Sequence, residues 1–570
     1  MTELGTAIDA EPEGKIVDDI EVRALDVIEP RDPAPAFLNV VHTTTRRYVV
    51  EREVLLRPGQ RYQQALVDET ARNLRELRQL SLVVVVPVKA RTPGHVRLLV
   101  VVKDVWSLRP SLDLQAGPRG IERLSIEPLE RNVAGTHHSV VARFALDPAA
   151  YLLGGGYYVP RFFGTRLYLV ADANAYVDRS RGAIEGSYGQ VSVTRSLYSS
   201  RSPWAFGLSV AWSDRVVRRF VDARVADYDA PETPGPDRIP DAYRARRVTE
   251  IASAVRSFGL AHKFDVLFGI EMTLRQYRTQ GLEAYDPVAA ASFERARLPR
   301  SDNRDAPFVQ VHAYESSLVR LYDADTLALA EDLRPGYDLW LRAYPVTSAL
   351  GSSRNFVGVY AGAAYTLLFP GAGTGFVRAS AESLTEGASH GVDDGAVAAS
   401  GTIASPRFFL GRLVLDGLTV QRWRNGLNLH STLGGNTRLR GYPSEAFIGA
   451  NLLAVNLELR ARPVRLGTLQ LGVVAFYDVG DAYDGPRPHP KHSVGGGLRV
   501  AVPAIDRKVI RLDVGFPLPE SARTAGVGPV SFFVALEQAF PIAPPPLTGN
   551  SVNGILGSPS ALTTPTGTND

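Results

Sequence analysis

The stretch LAVNLELRAR, residues 453–462, alternates apolar and polar side chains without interruption. Its odd-numbered positions hold leucine, valine or alanine, and its even-numbered positions include asparagine, glutamate and arginine. Because successive side chains of a strand point to opposite faces, this pattern predicts a strand with one apolar and one charged face. The fold of the chain depends on which of these two faces meets water.

The same alternation recurs through a long region, from about residue 106 to residue 540. The segments are ~9–11 residues long, which is the length that a tilted strand needs to cross a bilayer. Gly, Pro, Asn and Asp separate them, as is typical of turns. Further clear examples are residues 166–174, 469–480, 494–502, 510–516 and 530–540.

Two architectures fit this alternation. In a soluble β-sandwich the apolar faces pack together and the polar faces meet water, whereas in a transmembrane barrel the apolar faces meet lipid and the polar faces line the interior. The strand length, the size of the region and a polar face rich in charge and glycine favour the barrel. We therefore predict a mainly β chain with an antiparallel transmembrane β-barrel at residues 106–540, and a soluble β-rich binding protein is the alternative.

The first part of the chain has a different pattern. Residues 14–105 predict a small domain of order β-α-α-β-β, opened by the strand GKIVDDIEV and containing a helix at residues 62–80. In that helix Val67, Ala71, Leu74 and Leu77 form one apolar stripe. Residues 1–13 are acidic and polar, and residues 541–570 are rich in Pro, Gly, Ser and Thr, so we expect both ends to be disordered.

Composition excludes several classes of function. The chain of 570 residues has a net charge of +3 and no cysteine, which gives no indication of nucleic-acid binding and excludes disulfides and thiolate chemistry. No metal-binding or nucleotide-binding motif and no nucleophile elbow is present, so we predict no catalytic, cofactor or metal site and no enzyme. The acidic N-terminus is not a signal peptide, so export requires a start that was removed or lies upstream.

The loop sequence NTRLRGYP, residues 436–443, lies between two of the alternating segments. It is followed by FYDVG at 476–480, GGGLRVAVP at 495–503 and RLDVGFPL at 511–518. This ordered set resembles the carboxy-terminal half of the outer-membrane assembly and translocation superfamily, the BamA and TamA proteins and the bacterial surface antigens. The residues before the barrel resemble a POTRA domain.

The resemblance implies a barrel of about 16 strands, although the alternation itself gives five candidate strands after the motif and eleven to fifteen before it. It implies insertion or translocation of unfolded client outer-membrane or secreted polypeptides, in contact with outer-membrane lipid and with periplasmic or lipoprotein partners. The barrel would lie in the bacterial outer membrane, with the small domain in the periplasm. A passive pore or secretion channel on the same barrel is the alternative function.

The resemblance also implies a lock between loop and barrel, formed by Arg440, Gly441, Tyr442 and Asp478. Strand parity supports it, because Asp478 falls on the polar face of its strand and so points inward. An arginine can meet a buried carboxylate with two charge-assisted hydrogen bonds. Arg440→Ala is expected to impair barrel stability or activity. Exchanging the two charges, with Arg440→Asp and Asp478→Arg together, is expected to restore part of it.

The last segment, VSFFVALEQAF, resembles the terminal-strand signal of outer-membrane barrels, and an ordinary amphipathic strand is the alternative. Its signal residues are Phe532, Val534, Leu536 and the final aromatic Phe540.

Overall fold

A computed structural model describes most of the chain, namely residues 7–28, 42–77, 79–117, 120–197, 202–221, 223–327, 329–369, 374–467, 469–502, 508–519 and 527–540. Residues 1–6 and the tail 541–570 lie outside this described part, so the disorder expected of them stays a prediction. No helix among the described residues is long and apolar enough to cross a membrane.

A small α+β domain precedes the barrel. Its sheet has the order β1-β3-β2, with β1 parallel and β2 antiparallel to β3. Parallel strands need a crossover connection, and the two helices supply it. Val67 and Leu74, from the predicted apolar stripe, are buried against the sheet. The elements are β1 (Ile16–Leu25), α1 (Arg47–Glu51), α2 (Gln64–Glu76), β2 (Leu80–Lys89) and β3 (His95–Asp104).

The first described residues depart from the expectation of disorder. Ile8 forms an isolated bridge with Val88, and the Asp9 amide donates to the Pro87 carbonyl at 3.1 Å. The Asp9 carboxylate accepts from Lys15 Nζ at 2.7 Å. Residues 7–9 therefore pair with the end of β2, and the polar composition of the segment did not reveal this edge pairing.

The rest of the described chain forms a closed antiparallel β-barrel with insertions. The strands that follow the small domain, with the one longer helix among them, are β4 (Leu108–Gly117), β5 (Gly120–Val133), β6 (His138–Leu146), β7 (Ala150–Phe162), β8 (Leu167–Asp178), β9 (Ile184–Arg195), β10 (Trp204–Arg218), β11 (Phe220–Val221), β12 (Arg224–Val225), β13 (Asp227–Tyr228), β14 (Ile239–Pro240), β15 (Ala242–Phe258), β16 (His262–Arg278), α3 (Pro287–Arg297), β17 (Asp302–Glu315), β18 (Val319–Tyr322), β19 (Ala330–Leu333), β20 (Gly336–Val346), β21 (Phe356–Leu368), β22 (Phe376–Ala388), β23 (Gly391–Ala404), β24 (Gly411–Asn425), β25 (Ser431–Leu433), β26 (Phe447–Gly449), β27 (Asn451–Ala461), β28 (Val464–Leu466), β29 (Leu469–Tyr483), β30 (Lys491–Ala501), β31 (Ile510–Pro517) and β32 (Ser531–Leu536).

The number of barrel strands corrects the prediction. Among the described residues twenty strands close the barrel, with the short β28 added beside β29, so the expectation of about 16 was wrong. Fifteen of them precede the loop motif and five follow it. The alternation allowed this number, whereas the lower value came only from the resemblance. Strand number is set by how many hairpins the chain contains, which a terminal motif does not determine.

The two faces of the wall separate the barrel from the sandwich. Leu208, Leu341 and Val357 point outward and are 62%, 49% and 53% exposed. The inward face instead buries ion pairs, such as Arg143 with Asp172 and Arg342 with Glu271. An apolar exterior around a charged interior is typical of a barrel that faces lipid. The structure therefore confirms the barrel as the meaning of the alternation.

The barrel has two distinct rims. At the near rim, beside the small domain, Asn132 Nδ2 donates to the Thr43 carbonyl at 3.0 Å and Arg161 pairs with Glu53. The far rim carries the pairs β11–β12 and β13–β14 and helix α3. Among the described residues, the inner loop, residues 426–450, enters the interior from the far rim, and the near-rim hairpin, β18–β19, enters it from the near rim.

Candidate functional site

The inner loop carries the RGY motif into the barrel. Leu439 and Tyr442 are fully buried, and they pack with the wall residues Phe308 and Tyr360. The described loop therefore fills part of the lumen with apolar side chains. Residues 436–443 lie inside the barrel and not on its outer surface.

Arg440 and Asp478 meet there. Arg440 Nε donates to Asp478 Oδ2 at 2.8 Å, and Nη2 donates to Oδ1 at 2.8 Å. The backbone amide of Arg440 donates to the same carboxylate at 3.1 Å. Both side chains are 0% exposed. This is the bidentate geometry that makes an arginine–carboxylate pair strong and directional.

Two further groups complete the surroundings of Arg440. Its Nη1 donates to Glu458 Oε1 at 2.5 Å and lies 3.8 Å from Asp513 Oδ2. Its Cζ lies 3.6 Å from the centre of the Phe476 ring, a cation–π contact. Every nitrogen of Arg440 therefore has an acceptor in a site without solvent, which is the condition under which a buried charge is tolerated.

The carboxylates around Arg440 are shared with other arginines. Glu458 also accepts from Arg460 Nε at 2.8 Å, and Asp513 accepts from Arg499 Nη1 at 2.6 Å and Arg511 Nη1 at 2.9 Å. Strands β27, β29, β30 and β31 supply these side chains. The lock is thus a network, and removal of one member leaves its neighbours with fewer partners.

Gly441 is required by packing and not by backbone conformation. It is absent from the positive-φ glycines. A Cβ at this position would lie 2.4 Å from Ser493 Cβ and 2.8 Å from Pro517 N. On the facing strand, a Cβ on Gly515 would lie 2.0 Å from the Arg440 carbonyl oxygen. Two glycines therefore allow the loop backbone to lie directly on the wall.

Tyr442 anchors the tip through both parts of its side chain. Its hydroxyl donates to the His492 carbonyl at 3.2 Å. Its ring packs against Phe447 in a T-shaped arrangement, with 5.1 Å between centroids. The tyrosine is 0% exposed, so its hydroxyl needs this acceptor.

The inner loop contacts both sides of the seam, the junction of β4 and β32 that closes the barrel. On one side, the Gly441 carbonyl accepts from Ser531 Oγ at 3.4 Å. On the other, the Ser444 amide donates to Glu122 Oε2 on β5 at 2.8 Å. The seam itself is paired over three described residues, whereas β10 and β15 are paired over fifteen. The loop therefore braces the most weakly paired part of the wall.

The terminal-strand residues separate into two groups. Phe532, Val534 and Leu536 share the outward face of β32, and Phe532 is 51% exposed. Phe540 does not continue this face. The strand ends at Leu536, the chain turns at Glu537, which has φ 69°, and Phe540 is buried against the near-rim hairpin. The sequence prediction of one strand to Phe540 was wrong because it contained no signal for this turn.

The sequence placed Arg440 and Asp478 together but did not identify their neighbours. Glu458 and Asp513 were on polar faces in the alternation, so their inward direction was available. Their contact with Arg440 depends on how deep the loop reaches and how neighbouring strands are staggered. Asn456, whose Nδ2 donates to Asp478 Oδ1 at 2.7 Å, was missed for the same reason.

No known family model and no curated protein matches this chain. Among solved structures it is similar to CdiB from Acinetobacter baumannii (12% identity, 92% of this chain, 74% of that chain, TM-score 0.43). It is also similar to BamA from Haemophilus ducreyi lacking POTRA domains 1–3 (10%, 91%, 84%, 0.38) and CdiB from Escherichia coli (11%, 93%, 80%, 0.43). A BamA structure is thus among the solved structures to which the chain is similar, as the resemblance in the sequence predicted.

Proposed function

We propose that this protein is an outer-membrane protein of the BamA/TamA type that assists the insertion or translocation of unfolded client polypeptides. The observation that carries the proposal is the seam, which is paired over three described residues and is braced from inside by the inner loop. A short junction is the part of a closed sheet that costs least to open. An opened β4 or β32 offers unpaired backbone groups to which a client strand can add.

In this proposal the near rim faces the periplasm and the small domain is a POTRA-like domain. Its sheet order leaves β1 and β2 at the edges, and residues 7–9 occupy the Pro87–Lys89 end of β2, so an extended client would bind by β-augmentation along the rest of that edge. Periplasmic or lipoprotein partners would meet the same domain. Insertion or translocation of a client polypeptide requires no covalent chemistry, so we propose that the protein is not an enzyme.

A disulfide crosslink across the seam tests the proposal. Because the chain has no cysteine of its own, only the two introduced cysteines can form a disulfide. Leu114 and Val534 are direct partners across the seam, at a spacing that a disulfide can bridge. We expect oxidised Leu114→Cys/Val534→Cys protein to lose client-barrel assembly in proteoliposomes and to regain it on reduction. The matched control is Leu208→Cys/Ala252→Cys, a direct pair between β10 and β15.

Full activity of the oxidised seam variant would overturn the proposal, and an equal loss of activity in the control would assign the effect to general stiffening of the barrel.

The rival function is a passive pore. Leu439 and Tyr442 fill the lumen from one side, and Phe540 with the near-rim hairpin fills it from the other. Steady single-channel conductance, with no effect of depletion on other outer-membrane proteins, would favour the pore.

A further inference from the structure

A cavity of ≈ 400 Å³ lies at the near rim, between the tip of the near-rim hairpin and strands β24, β27 and β29. It is of the size of small-molecule sites, which run from about 300 to 1,000 Å³. Its charged lining consists of five arginines and one aspartate: Asp323, Arg407, Arg412, Arg460, Arg462 and Arg499. The cavity therefore favours an anion, and none of the function proposed above uses it.

Three of these arginines already have carboxylate partners. Arg407 Nη1 donates to Asp323 Oδ2 at 2.6 Å. Arg460 and Arg499 belong to the lock network, through Glu458 and Asp513. Their charges are therefore largely balanced by the protein.

Of the other two, Arg462 is exposed and Arg412 is buried. Arg412 is 2% exposed, and its Nε and Nη1 have no hydrogen-bond partner among the described residues. Its Nη2 reaches only the Tyr322 carbonyl, at 3.4 Å. Burial of an unpaired guanidinium is costly, and an anion that accepts from Nε and Nη1 would offset that cost. Arg412 thus brings two unused, charge-bearing donors to the cavity wall, and an anion would accept from them once the guanidinium turns toward the cavity.

The same cavity has an apolar side toward the exterior of the barrel. Phe408, Phe409 and Val473 line it, and Phe409 and Val473 are 83% and 57% exposed. In a membrane these outward side chains meet lipid chains at the rim, where headgroups begin. An amphipathic ligand can therefore place its chains along the wall and its charged group against Arg412.

We propose that this cavity binds the phosphate of an anionic phospholipid, with Arg412 as the principal donor and Arg407 at the mouth. The guanidinium fork matches phosphate oxygens in geometry as well as in charge. Arg412 lies on β24, which is not a seam strand, so its substitution can weaken lipid binding without removing client assembly.

The test uses full-length protein in nanodiscs of phosphatidylethanolamine, with and without phosphatidylglycerol, and follows barrel unfolding by the heat-dependent gel shift. We expect phosphatidylglycerol to raise the unfolding temperature of the wild type and of Arg378→Gln. Arg378 is a matched control, a buried barrel arginine that bonds Thr366 and does not line the cavity. Arg412→Gln should need about tenfold to a hundredfold more phosphatidylglycerol for the same rise in unfolding temperature, which is the loss of affinity expected when charged hydrogen bonds are removed.

A second prediction concerns the unfolding temperature without anionic lipid, and it also shows whether the variant is folded. Without anionic lipid, Arg412→Gln should unfold at the same temperature as the wild type or a higher one, because it no longer buries an unpaired charge. If it fails to fold, Arg407→Gln at the exposed mouth should still weaken the lipid effect.

Two outcomes would overturn the proposal. Equal stabilisation of wild type and Arg412→Gln by phosphatidylglycerol would show that the cavity is not the lipid site. Stabilisation by inorganic phosphate in neutral detergent, at the same concentration and to the same extent, would assign the cavity to free phosphate and remove the lipid.

Discussion

Arg440 and Arg412 are both arginines buried inside the same barrel, yet their surroundings are opposite. Arg440 donates from every nitrogen, to Asp478 and Glu458, and rests on the Phe476 ring. Arg412 has two nitrogens without a partner among the described residues. The partners of Arg440 all come from the protein, whereas the two nitrogens of Arg412 without a partner are where we propose that a ligand binds. The comparison separates a lock from a binding site by hydrogen bonds alone.

The largest effect is expected from reversing the charges of the lock. In Arg440→Asp with Asp478→Arg, the new carboxylate would face Glu458 and Asp513, which lie 2.5 and 3.8 Å from Arg440 Nη1. The sequence alone predicts partial recovery by this exchange, but the network leads us to expect none. Urea unfolding of the two single variants and the double variant measures it, and recovery would mean that Arg440 and Asp478 act as an isolated pair.

Removal of Arg440 alone is expected to lower the free energy of unfolding slightly less than the charge reversal does. Arg440→Ala leaves Asp478 buried without its main partner and Glu458 with Arg460 as its remaining arginine, a change that typically destabilises a protein by about 3–5 kcal/mol. The unfolding midpoint in urea should fall, and the heat-dependent gel shift should occur at lower temperature. Arg412→Gln in neutral detergent is the contrasting variant, and an equal loss there would break the comparison.

A smaller loss is expected from one methyl group beside the loop. Gly515→Ala places a Cβ 2.0 Å from the Arg440 carbonyl oxygen, so the loop backbone must move away from β31. Overpacking of this kind costs about 1–3 kcal/mol. Gly401→Ala is a suitable control, because the nearest atom to its Cβ would be 3.9 Å away. Equal unfolding midpoints for both variants would show that the loop does not depend on close contact.

The last prediction concerns the pH dependence of stability. Burial raises the pKa of Glu445, in the inner loop, from 4.5 to about 8. The folded protein therefore holds a proton there that the unfolded chain releases above pH 4.5. Stability is fully present below that pH and falls as pH rises toward 8, by at most about 1.4 kcal/mol per pH unit. Urea unfolding at pH 5, 6 and 7 should show a decline that Glu445→Gln reduces, and an identical slope in the variant would contradict it.

Local alternation predicted the mainly β barrel and the inward direction of Asp478, because both depend only on the two-residue period of a strand. The members of the lock beyond Asp478 were out of reach. Glu458 and Asp513 are 18 and 73 positions from Arg440 in sequence, and strand stagger decides that they meet. The inward turn before Phe540 and the orphan donors of Arg412 are likewise tertiary features. The alternation along a strand shows which face a residue lies on, but not which residue it contacts.

The contacts of the inner loop also bear on the order in which the barrel assembles. The loop tip needs Glu122 on β5 and Ser531 on β32, so its final position is unavailable until the first and last strands are both in place. Contacts of such large sequence separation cost the most loop-closure entropy, so we expect them to form after the folding transition state. The lock should therefore act on kinetic stability: loss of Arg440 would accelerate unfolding far more than it slows folding, and the finished barrel would persist because it opens slowly.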